Sequence, residues 1–178
     1  MLYSYTFPAF FYPKSSPSML RYANYDIVFQ EFPDEVALAV NLTGCPCHCP
    51  GCHSQYLWDD AGEVLDFERL LQLVDHYGGG ITCVGLMGGD AAPDEVLSLL
   101  DQLREARPKL RTGWYSGRQD LPAAFNPHHA PDYVKLGPWR EELGPLSAET
   151  TNQRMYRYHS NGSREDITDK FRVKGLKI

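Results

Sequence analysis

The stretch "VALAVNLTGCPCHCPGCHS", residues 36–54, decides the fold, because an apolar run leads directly into a cluster of cysteines. Residues 36–42 are apolar apart from one asparagine, with a valine at each end of the run's core. Such a run predicts a strand that is covered on both faces, as in a parallel sheet. Four cysteines follow within eight residues, 45–52. We therefore expect the cysteines at the carboxyl end of a buried strand, where α/β proteins place ligands and catalysis.

Two helices are predicted downstream by apolar residues that recur with the helical period. The first follows Asp66, a typical N-cap residue, and ends at the glycines of residues 78–80. The second begins at Pro93, a residue favoured at the first helical position. The apolar stripes are Phe67, Leu70, Leu71 and Val74 in the first helix and Val96, Leu99, Leu100 and Leu103 in the second.

Further strands are predicted at residues 81–87, 110–116 and, more weakly, 133–136. Strands that alternate with helices predict βαβ units, with right-handed crossovers and a parallel sheet. About four such units are too few for a closed eightfold barrel, which takes about 250 residues. The expected fold class is therefore α/β, a partial (incomplete) parallel β/α barrel in a single domain. Near the C-terminus, Tyr156, Tyr158, Phe171 and Val173 predict one or two short strands around an Asn161-Gly162 turn.

The overall composition excludes several classes of protein. Lys and Arg total 17 against 23 Asp and Glu, a formal charge of −6, and no basic run argues for nucleic-acid binding. No apolar run is long enough to span a membrane. An odd number of cysteines, five, with four of them crowded together, indicates a metal or redox site in a reducing compartment. We therefore expect a cytoplasmic protein that binds neither nucleic acid nor membranes.

Residues 1–18, "MLYSYTFPAFFYPKSSPS", are rich in aromatic residues and proline. They lack the basic start and aliphatic core of a secretory signal, and the arginines of a mitochondrial transit peptide. Because chain termini are commonly held loosely, we expect a poorly ordered tail here, consistent with a true start downstream of Met1, and a functional arm is the alternative. The folded domain is then expected over residues 19–178.

The cysteine cluster allows two kinds of metal site. A structural zinc site usually takes two short ligand pairs separated by a longer loop. Cys49 and Cys52 can form one pair, but no second pair follows, and Cys83 lies in an apolar strand where a free cysteine usually packs as a core residue. A zinc site would therefore have to take all of its ligands from one tight loop, a strained arrangement that stays open as an alternative.

Iron is the second possibility, since Cys45, Cys49 and Cys52 have the spacing C-x3-C-x2-C. Ordinary four-iron clusters take four cysteine ligands, so three leave one iron with an open position. Cys47 is expected to be a bystander, because it lies between two cysteines already committed as ligands. A chance spacing, or a conventional cluster with Cys47 as the fourth ligand, is the alternative.

The motif Cys45-x3-Cys49-x2-Cys52 resembles the signature of the radical S-adenosylmethionine (SAM) enzymes, and Gly88-Gly89-Asp90 resembles their second motif. The surrounding segments "NLTGCPCHCPGCHS", "LMGGDAAP", "DYVKLGPW" and "TTNQR", together with a tryptophan at position 58, resemble the activating enzymes of anaerobic (class III) ribonucleotide reductase. The resemblance runs from about residue 26 to the C-terminus and does not cover residues 1–18.

This resemblance implies a cofactor and a reaction. The three cysteines would hold one 4Fe-4S cluster, and the amino and carboxylate groups of SAM would chelate the fourth iron. Reductive cleavage of SAM would give a 5′-deoxyadenosyl radical, which would take a hydrogen atom from a glycine of anaerobic ribonucleoside-triphosphate reductase. The implied electron donor is a low-potential protein such as flavodoxin or ferredoxin. The cluster and SAM carry this chemistry, so no acid or base residue is expected.

The resemblance also implies which residues contact SAM: Gly51, Cys52, His53, Gly88, Gly89 and Asp90. Gly88 and Gly89 would let the backbone approach the ligand closely, and Asp90 would accept a hydrogen bond from its amino group. A plain strand-to-helix turn is the alternative for all three. Ser116 and Gly117 end the third predicted strand on the same edge, where they would touch the ribose or adenine or form a simple turn.

Two other functions stay open. An activase for a different glycyl-radical enzyme, of the formate-lyase type, would keep the chemistry and change the partner. A non-catalytic zinc or iron–sulfur module that docks on a partner would use the cysteines without any reaction. The "TTNQR" segment, residues 150–154, belongs to the resemblance without a role that its residues explain.

Overall fold

The computed structural model describes residues 20–172, so the predicted tail at residues 1–18 and Val173 lie outside the described residues. Within this range eight strands form one sheet in the order β3-β1-β2-β4-β5-β6-β7-β8. The strands are β1 Arg21–Val28, β2 Ala37–Leu42, β3 Glu63–Val64, β4 Cys83–Met87, β5 Arg111–Tyr115, β6 Tyr133–Leu136, β7 Arg154–Tyr158 and β8 Arg164–Asp166. Two α-helices are described, α1 Phe67–Tyr77 and α2 Pro93–Ala106.

The centre of the sheet is parallel, as predicted. Strands β2, β4, β5 and β6 pair in parallel, with α1 before β4 and α2 before β5. Their bounds lie within two residues of the predicted strands. Two short C-terminal strands, β7 and β8, also form around the predicted turn, in which the Gly162 amide donates to the His159 carbonyl. The prediction is wrong for Phe171, which follows β8 in a 3-10 helix, Thr168–Phe171.

The prediction of a parallel sheet is wrong at both sides of this centre. Four of the seven pairings are antiparallel, because β1 with β3 joins one side of the parallel centre and β7 with β8 joins the other. The described strands run in linear order from β3 to β8, and the partial, open barrel stays a prediction. The physical reason is the connections, since a parallel neighbour needs a crossover, usually a helix, whereas β1 reaches β2 and β7 reaches β8 through short turns.

Both helices pack on the sheet through their apolar stripes. Asp66 caps α1 by accepting a hydrogen bond from the Arg69 amide at 2.8 Å, and the helix ends at Gly78 with φ +52°. In α1 the fully packed residues are Leu70, Leu73 and Val74, whereas the predicted Phe67 and Leu71 are partly buried. The predicted stripe of α2 is buried throughout. These side chains share one core with alternate residues of the central strands, among them Val40, Leu86 and Trp114.

The opposite face of the sheet carries a second apolar cluster. It contains Phe32, Ala37, Cys83, Tyr133, Met155 and Ile167. The ring of Phe32 lies directly on the backbone, because a Cβ built on Gly85 or Gly113 would approach it to 2.3 or 2.2 Å. Cys83 is fully buried here, as expected of a cysteine that packs as a core residue.

The arrangement brings the carboxyl ends of β2, β4, β5 and β6 to one edge of the sheet, where the segments that follow these strands lie side by side. None of the helices within residues 20–172 combines the length and the apolar character needed to cross a bilayer.

Candidate metal and cofactor site

The cysteine loop leaves the end of β2 and is tied down by its own backbone. The Cys45 amide donates to the Leu57 carbonyl at 2.9 Å, and the Gly44 amide donates to the Asp59 carbonyl at 3.1 Å. Within the loop the Cys52 amide donates to the Cys49 carbonyl at 3.1 Å. Gly44, Gly51 and His48 have positive φ angles, which let the chain turn back on itself. The four cysteines are thereby held in a compact loop at the carboxyl edge.

All four loop cysteines are free thiols. Cys49 is buried, the other three are partly buried, and the Cys52 sulfur accepts a hydrogen bond from the Ser54 amide at 3.4 Å. Thiols in one loop, none of them in a disulfide, are the donor set that iron–sulfur clusters and zinc prefer. The chemistry of these residues therefore fits a thiolate-bound cluster or zinc, and the choice of Cys45, Cys49 and Cys52 as ligands stays a prediction.

Cys47 points toward the second motif, a placement that sequence reasoning missed. The sulfur atoms of Cys45 and Cys47 and a carboxylate oxygen of Asp90 all lie within 4.8 Å of one another. Burial, with the charge of Asp90 as the next cause, raises the pKa of Cys47 to about 12. A Cβ on Gly117 would come within 2.9 Å of the Cys47 sulfur. Cys47 therefore packs the loop against the ends of β4 and β5.

Asp90 is almost fully buried and joins two strand ends. Its Oδ1 accepts from the Ser116 hydroxyl at 2.5 Å, and its Oδ2 accepts from the Gly117 amide at 2.8 Å. The Arg118 guanidinium donates to the Asp90 carbonyl at 2.8 Å. Ser116, Gly117 and Asp90, three predicted site residues from two separate segments, are thus brought together. Contact between Asp90 and the amino group of a ligand stays a prediction, since both carboxylate oxygens already have donors in the chain.

Gly88 and Gly89 are required by the packing of the chain itself. Their φ angles are +102° and +82°. A Cβ on Gly89 would lie 2.4 Å from Val96 Cγ2 and 2.7 Å from Leu42 Cδ1. The Gly88 carbonyl accepts from the Trp114 indole N–H at 2.8 Å. The core of the domain thus accounts for both glycines, and close approach of a ligand to them stays a prediction.

Lys135 is a buried cation near the cysteine loop that sequence reasoning did not single out. Its ammonium group is nearly inaccessible and donates to the Gly137 carbonyl at 2.7 Å. Burial lowers the pKa of Lys135 to about 8, against the opposing charges of Asp90, Cys49, Cys47 and Cys52. The available signal was a lysine inside the otherwise apolar strand "YVKL". When protonated, Lys135 offsets part of the negative charge of the site.

Two indole N–H groups beside the loop have no hydrogen-bond partner among the described residues. Trp58 Nε1 and Trp139 Nε1 are both buried and unpaired. Trp58 stacks on His48 with ring centroids 4.7 Å apart, and Trp139 meets His53 edge-on at 4.8 Å. A buried donor without a partner costs about 1–3 kcal/mol, so these groups are suited to a ligand that supplies an acceptor.

The predicted contact residues Gly51 and His53 lie at the exposed side of the loop, against Trp139. A Cβ on Gly51 would lie 3.4 Å from Trp139 Nε1 and 3.1 Å from a carboxylate oxygen of Glu141. The unpaired indole N–H and the middle of the cysteine loop are therefore neighbours.

The "TTNQR" segment, residues 150–154, has a structural role that the sequence did not reveal. The side-chain amides of Asn152 and Gln153 both donate to the Pro138 carbonyl, at 3.0 and 3.5 Å. A Cβ on Gly137 would lie 3.0 Å from the Gln153 Cα. The segment thus holds the turn that carries Trp139.

Comparisons with known proteins add little to this geometry. No family model and no curated protein matches the chain. QueE from Escherichia coli is a similar solved structure, with a TM-score of 0.46, 18% identity, and coverage of 57% of this chain and 54% of QueE. The chain thus spans about half the length of that structure. A similarity at this level establishes neither a family nor a function.

Proposed function

We propose that this protein is a radical SAM activase. It cleaves SAM reductively at a 4Fe-4S cluster and uses the 5′-deoxyadenosyl radical to generate a glycyl radical on anaerobic ribonucleoside-triphosphate reductase. A flavodoxin or ferredoxin is the proposed electron donor, and the cytoplasm is the proposed location.

One observation carries the proposal. The C-x3-C-x2-C loop lies at the carboxyl edge of four parallel strands, and its Cys45 and Cys47 sulfurs lie within 4.8 Å of the aspartate of the GGD segment. In parallel α/β sheets this edge is where ligands bind. Two motifs that lie 36 or more residues apart in the chain therefore meet in space.

Individual residues of the chain would have separate roles in such a site. Cys45, Cys49 and Cys52 would hold the cluster, which when bound supplies the electron for cleavage of SAM. Asp90 keeps the ends of β4 and β5 together through Ser116 and Gly117. Lys135 places a positive charge near the cysteine loop, and the Trp139 indole offers an unpaired donor beside Gly51.

The test is anaerobic reconstitution of the purified chain with iron and sulfide. The proposal expects about four iron and four sulfide per chain, a broad brown absorption and production of 5′-deoxyadenosine from SAM. Addition of the reduced protein and SAM to anaerobic ribonucleotide reductase is then expected to give the glycyl-radical doublet in electron paramagnetic resonance. 5′-Deoxyadenosine without that doublet would keep the chemistry and overturn the partner, in favour of a formate-lyase type of enzyme.

A second candidate function rests on the cluster of Cys45, Cys47 and Asp90. Two thiols and a carboxylate within 4.8 Å are also a partial ligand set for zinc. A protein that binds one zinc ion per chain, stays colourless and loses the metal in the Cys47→Ala variant would be a binding module. Iron and zinc analysis of the same sample separates the two functions.

A further inference from the structure

Lys135 is the one basic side chain that is buried among residues 20–172. It lies in β6, in register with Tyr115 of β5. Residues two apart in a strand share a face, so Lys135 lies on the same face as Tyr133, which is the face opposite the two helices. The Lys135 ammonium group lies 6.0 Å from the centre of the Tyr115 ring. The fold therefore buries a cation on the face of the sheet that the helices do not cover.

The backbone of Lys135 is joined to the strand ends that support the cysteine loop. Its carbonyl accepts from the Ser116 amide at 2.8 Å, and the Ser116 hydroxyl donates to Asp90. Cys47 lies against the residue that follows, Gly117, and its sulfur is 3.9 Å from Asp90 Oδ2. Lys135 is thus held by the same edge of the sheet against which the cysteine loop packs.

The Lys135 ammonium group forms no ion pair within the part of the chain that the structure describes. It donates to the Gly137 carbonyl at 2.7 Å, which carries no formal charge. A charge that is buried without an ion pair lowers the stability of the fold. The negative charges that act on it are those of Asp90, Cys49, Cys47 and Cys52. Lys135 therefore supplies a positive charge that the chain alone does not neutralise through an ion pair.

A cluster held by the loop is the group on which this charge would act. The interaction between two charges is mutual, so a cation stabilised by nearby thiolates stabilises negative charge at those thiolates. When a 4Fe-4S core accepts one electron, the negative charge of the cluster and its thiolates increases. The net charge around a cluster and its exposure to solvent are among the properties that set its reduction potential. A buried cation beside the loop therefore favours the reduced cluster.

We propose that Lys135 raises the reduction potential of the 4Fe-4S cluster, so that a protein donor of one electron can reduce it. The inference rests on the proposed function and deepens it, because it gives a role in electron transfer to a residue that is not a proposed ligand of the cluster. In this step the donor loses one electron, the cluster gains it, and Lys135 keeps its proton.

The test is a redox titration of the reconstituted full chain with dithionite at pH 7, followed by electron paramagnetic resonance of the reduced cluster. Lys135→Met replaces the charge with an apolar side chain of similar length. We expect about tenfold less reduced cluster at a fixed potential, which is a shift of the midpoint by about 59 mV to more negative values. Lys135→Gln removes the charge but keeps an N–H donor, and the same shift is expected.

Arg140→Gln is the matched control. Arg140 follows Trp139 at the turn beside the cysteine loop, but its side chain is exposed. Water and salt screen an exposed charge much more than a buried one, so this variant is expected to keep the potential of the wild type. A shift of equal size in Arg140→Gln and in the Lys135 variants would overturn the proposal, as would equal potentials of the wild type and both Lys135 variants.

The choice of reductant gives a second readout. The Lys135 variants are expected to form 5′-deoxyadenosine from SAM with titanium(III) citrate, a strong reductant, and to lose most of this activity with flavodoxin. Loss of activity with both reductants at an unchanged potential would indicate a structural role and overturn the proposal.

Iron and sulfide content, measured first, separates this inference from the proposed function. A wild type that assembles no cluster overturns both. A cluster whose potential does not depend on Lys135 overturns the inference and leaves the proposed function standing. Lys135 variants that assemble no cluster, when Arg140→Gln does, would assign Lys135 to cluster assembly and overturn its role in setting the potential.

Discussion

The carboxylate of Asp90 and the hydroxyl of Ser116 form a buried hydrogen bond of 2.5 Å that joins the end of β4 to the end of β5. The same carboxylate accepts from the Gly117 amide. A pair of residues 26 positions apart in the chain therefore fixes the edge of the sheet against which the cysteine loop packs.

Replacement of Asp90 should destabilise the fold directly. Asp90→Asn leaves only one oxygen for two buried donors, and a hydrogen bond to a charged group contributes about 1.5–3 kcal/mol. We expect the free energy of unfolding, measured by urea denaturation of the metal-free chain, to fall by about that amount. Asp120→Asn, at an exposed aspartate of the loop after β5, is the control and should change it little. Equal stability of the two variants would show that the Asp90 contacts contribute nothing.

The cysteines should separate into two groups. Cys45→Ala, Cys49→Ala and Cys52→Ala are each expected to abolish cluster assembly and SAM cleavage, because each removes a proposed ligand. Cys47→Ala and Cys83→Ala are expected to retain about four iron per chain after reconstitution. Iron and sulfide analysis with the absorption spectrum is the measurement. Loss of the cluster in Cys47→Ala would show that the assignment of three ligands is wrong.

Gly89→Ala should be one of the more damaging single substitutions in the chain. The added Cβ would lie 2.4 Å from Val96 Cγ2, at a φ angle that side chains rarely adopt. Overpacking together with backbone strain is expected to lower the free energy of unfolding by roughly 2 kcal/mol or more. Gly79→Ala is the matched control, because nothing lies within 4 Å of a Cβ built there. Similar melting temperatures for the two variants would contradict the packing explanation of the second motif.

Lys135 should make stability depend on pH in the alkaline range. Its pKa is lowered from 10.5 to about 8 in the folded chain, so between these values the unfolded chain binds more protons. The free energy of unfolding therefore rises between about pH 8 and pH 10.5, relative to a chain without this group. Each unit of the pKa shift contributes about 1.4 kcal/mol to this rise. Below about pH 8, Lys135 is protonated in both the folded and the unfolded chain, so its contribution to stability no longer varies with pH.

Lys135→Met is the variant that isolates this effect. The difference in free energy of unfolding between wild type and Lys135→Met should change in favour of the wild type as pH rises from about 8 to about 10.5. Parallel denaturation series of the metal-free proteins under reducing conditions measure it, since the cysteines and tyrosines titrate in both proteins. A constant difference across this range would mean that Lys135 is not desolvated as described.

The sequence predicts the parallel centre well because its signals are local. The apolar run before Cys45, the N-cap at Asp66 and the proline at position 93 each act within a few residues of the chain. The antiparallel strands β1 and β3 were missed, because their pairing depends on partners distant in sequence, whereas the local Asn161-Gly162 turn predicted the β7–β8 hairpin. Strand β1, for example, buries only Tyr22 and shows no continuous apolar run.

The residues of the candidate site were likewise predicted only where their signals are local. Spacing identifies Cys45, Cys49 and Cys52 as a group, but it does not show that Cys47 turns toward Asp90. The burial of Lys135 and the unpaired indole of Trp139 depend on segments from several parts of the chain. No local pattern carries that information, so these residues appear only once the chain is folded.

The ring of Phe32 lies on the backbone of Gly85 and Gly113 and shields the parallel centre of the sheet from solvent. A parallel sheet normally needs a layer of helices on each face, yet the two helices of this chain share a core with only one of them. The other face is shielded from solvent by three apolar side chains: Phe32 from the β1–β2 connection, Met155 from β7 and Ile167 from just after β8. The antiparallel additions thus replace a second helical layer, and an opening of either one would let solvent reach the backbone of the strands that support the cysteine loop.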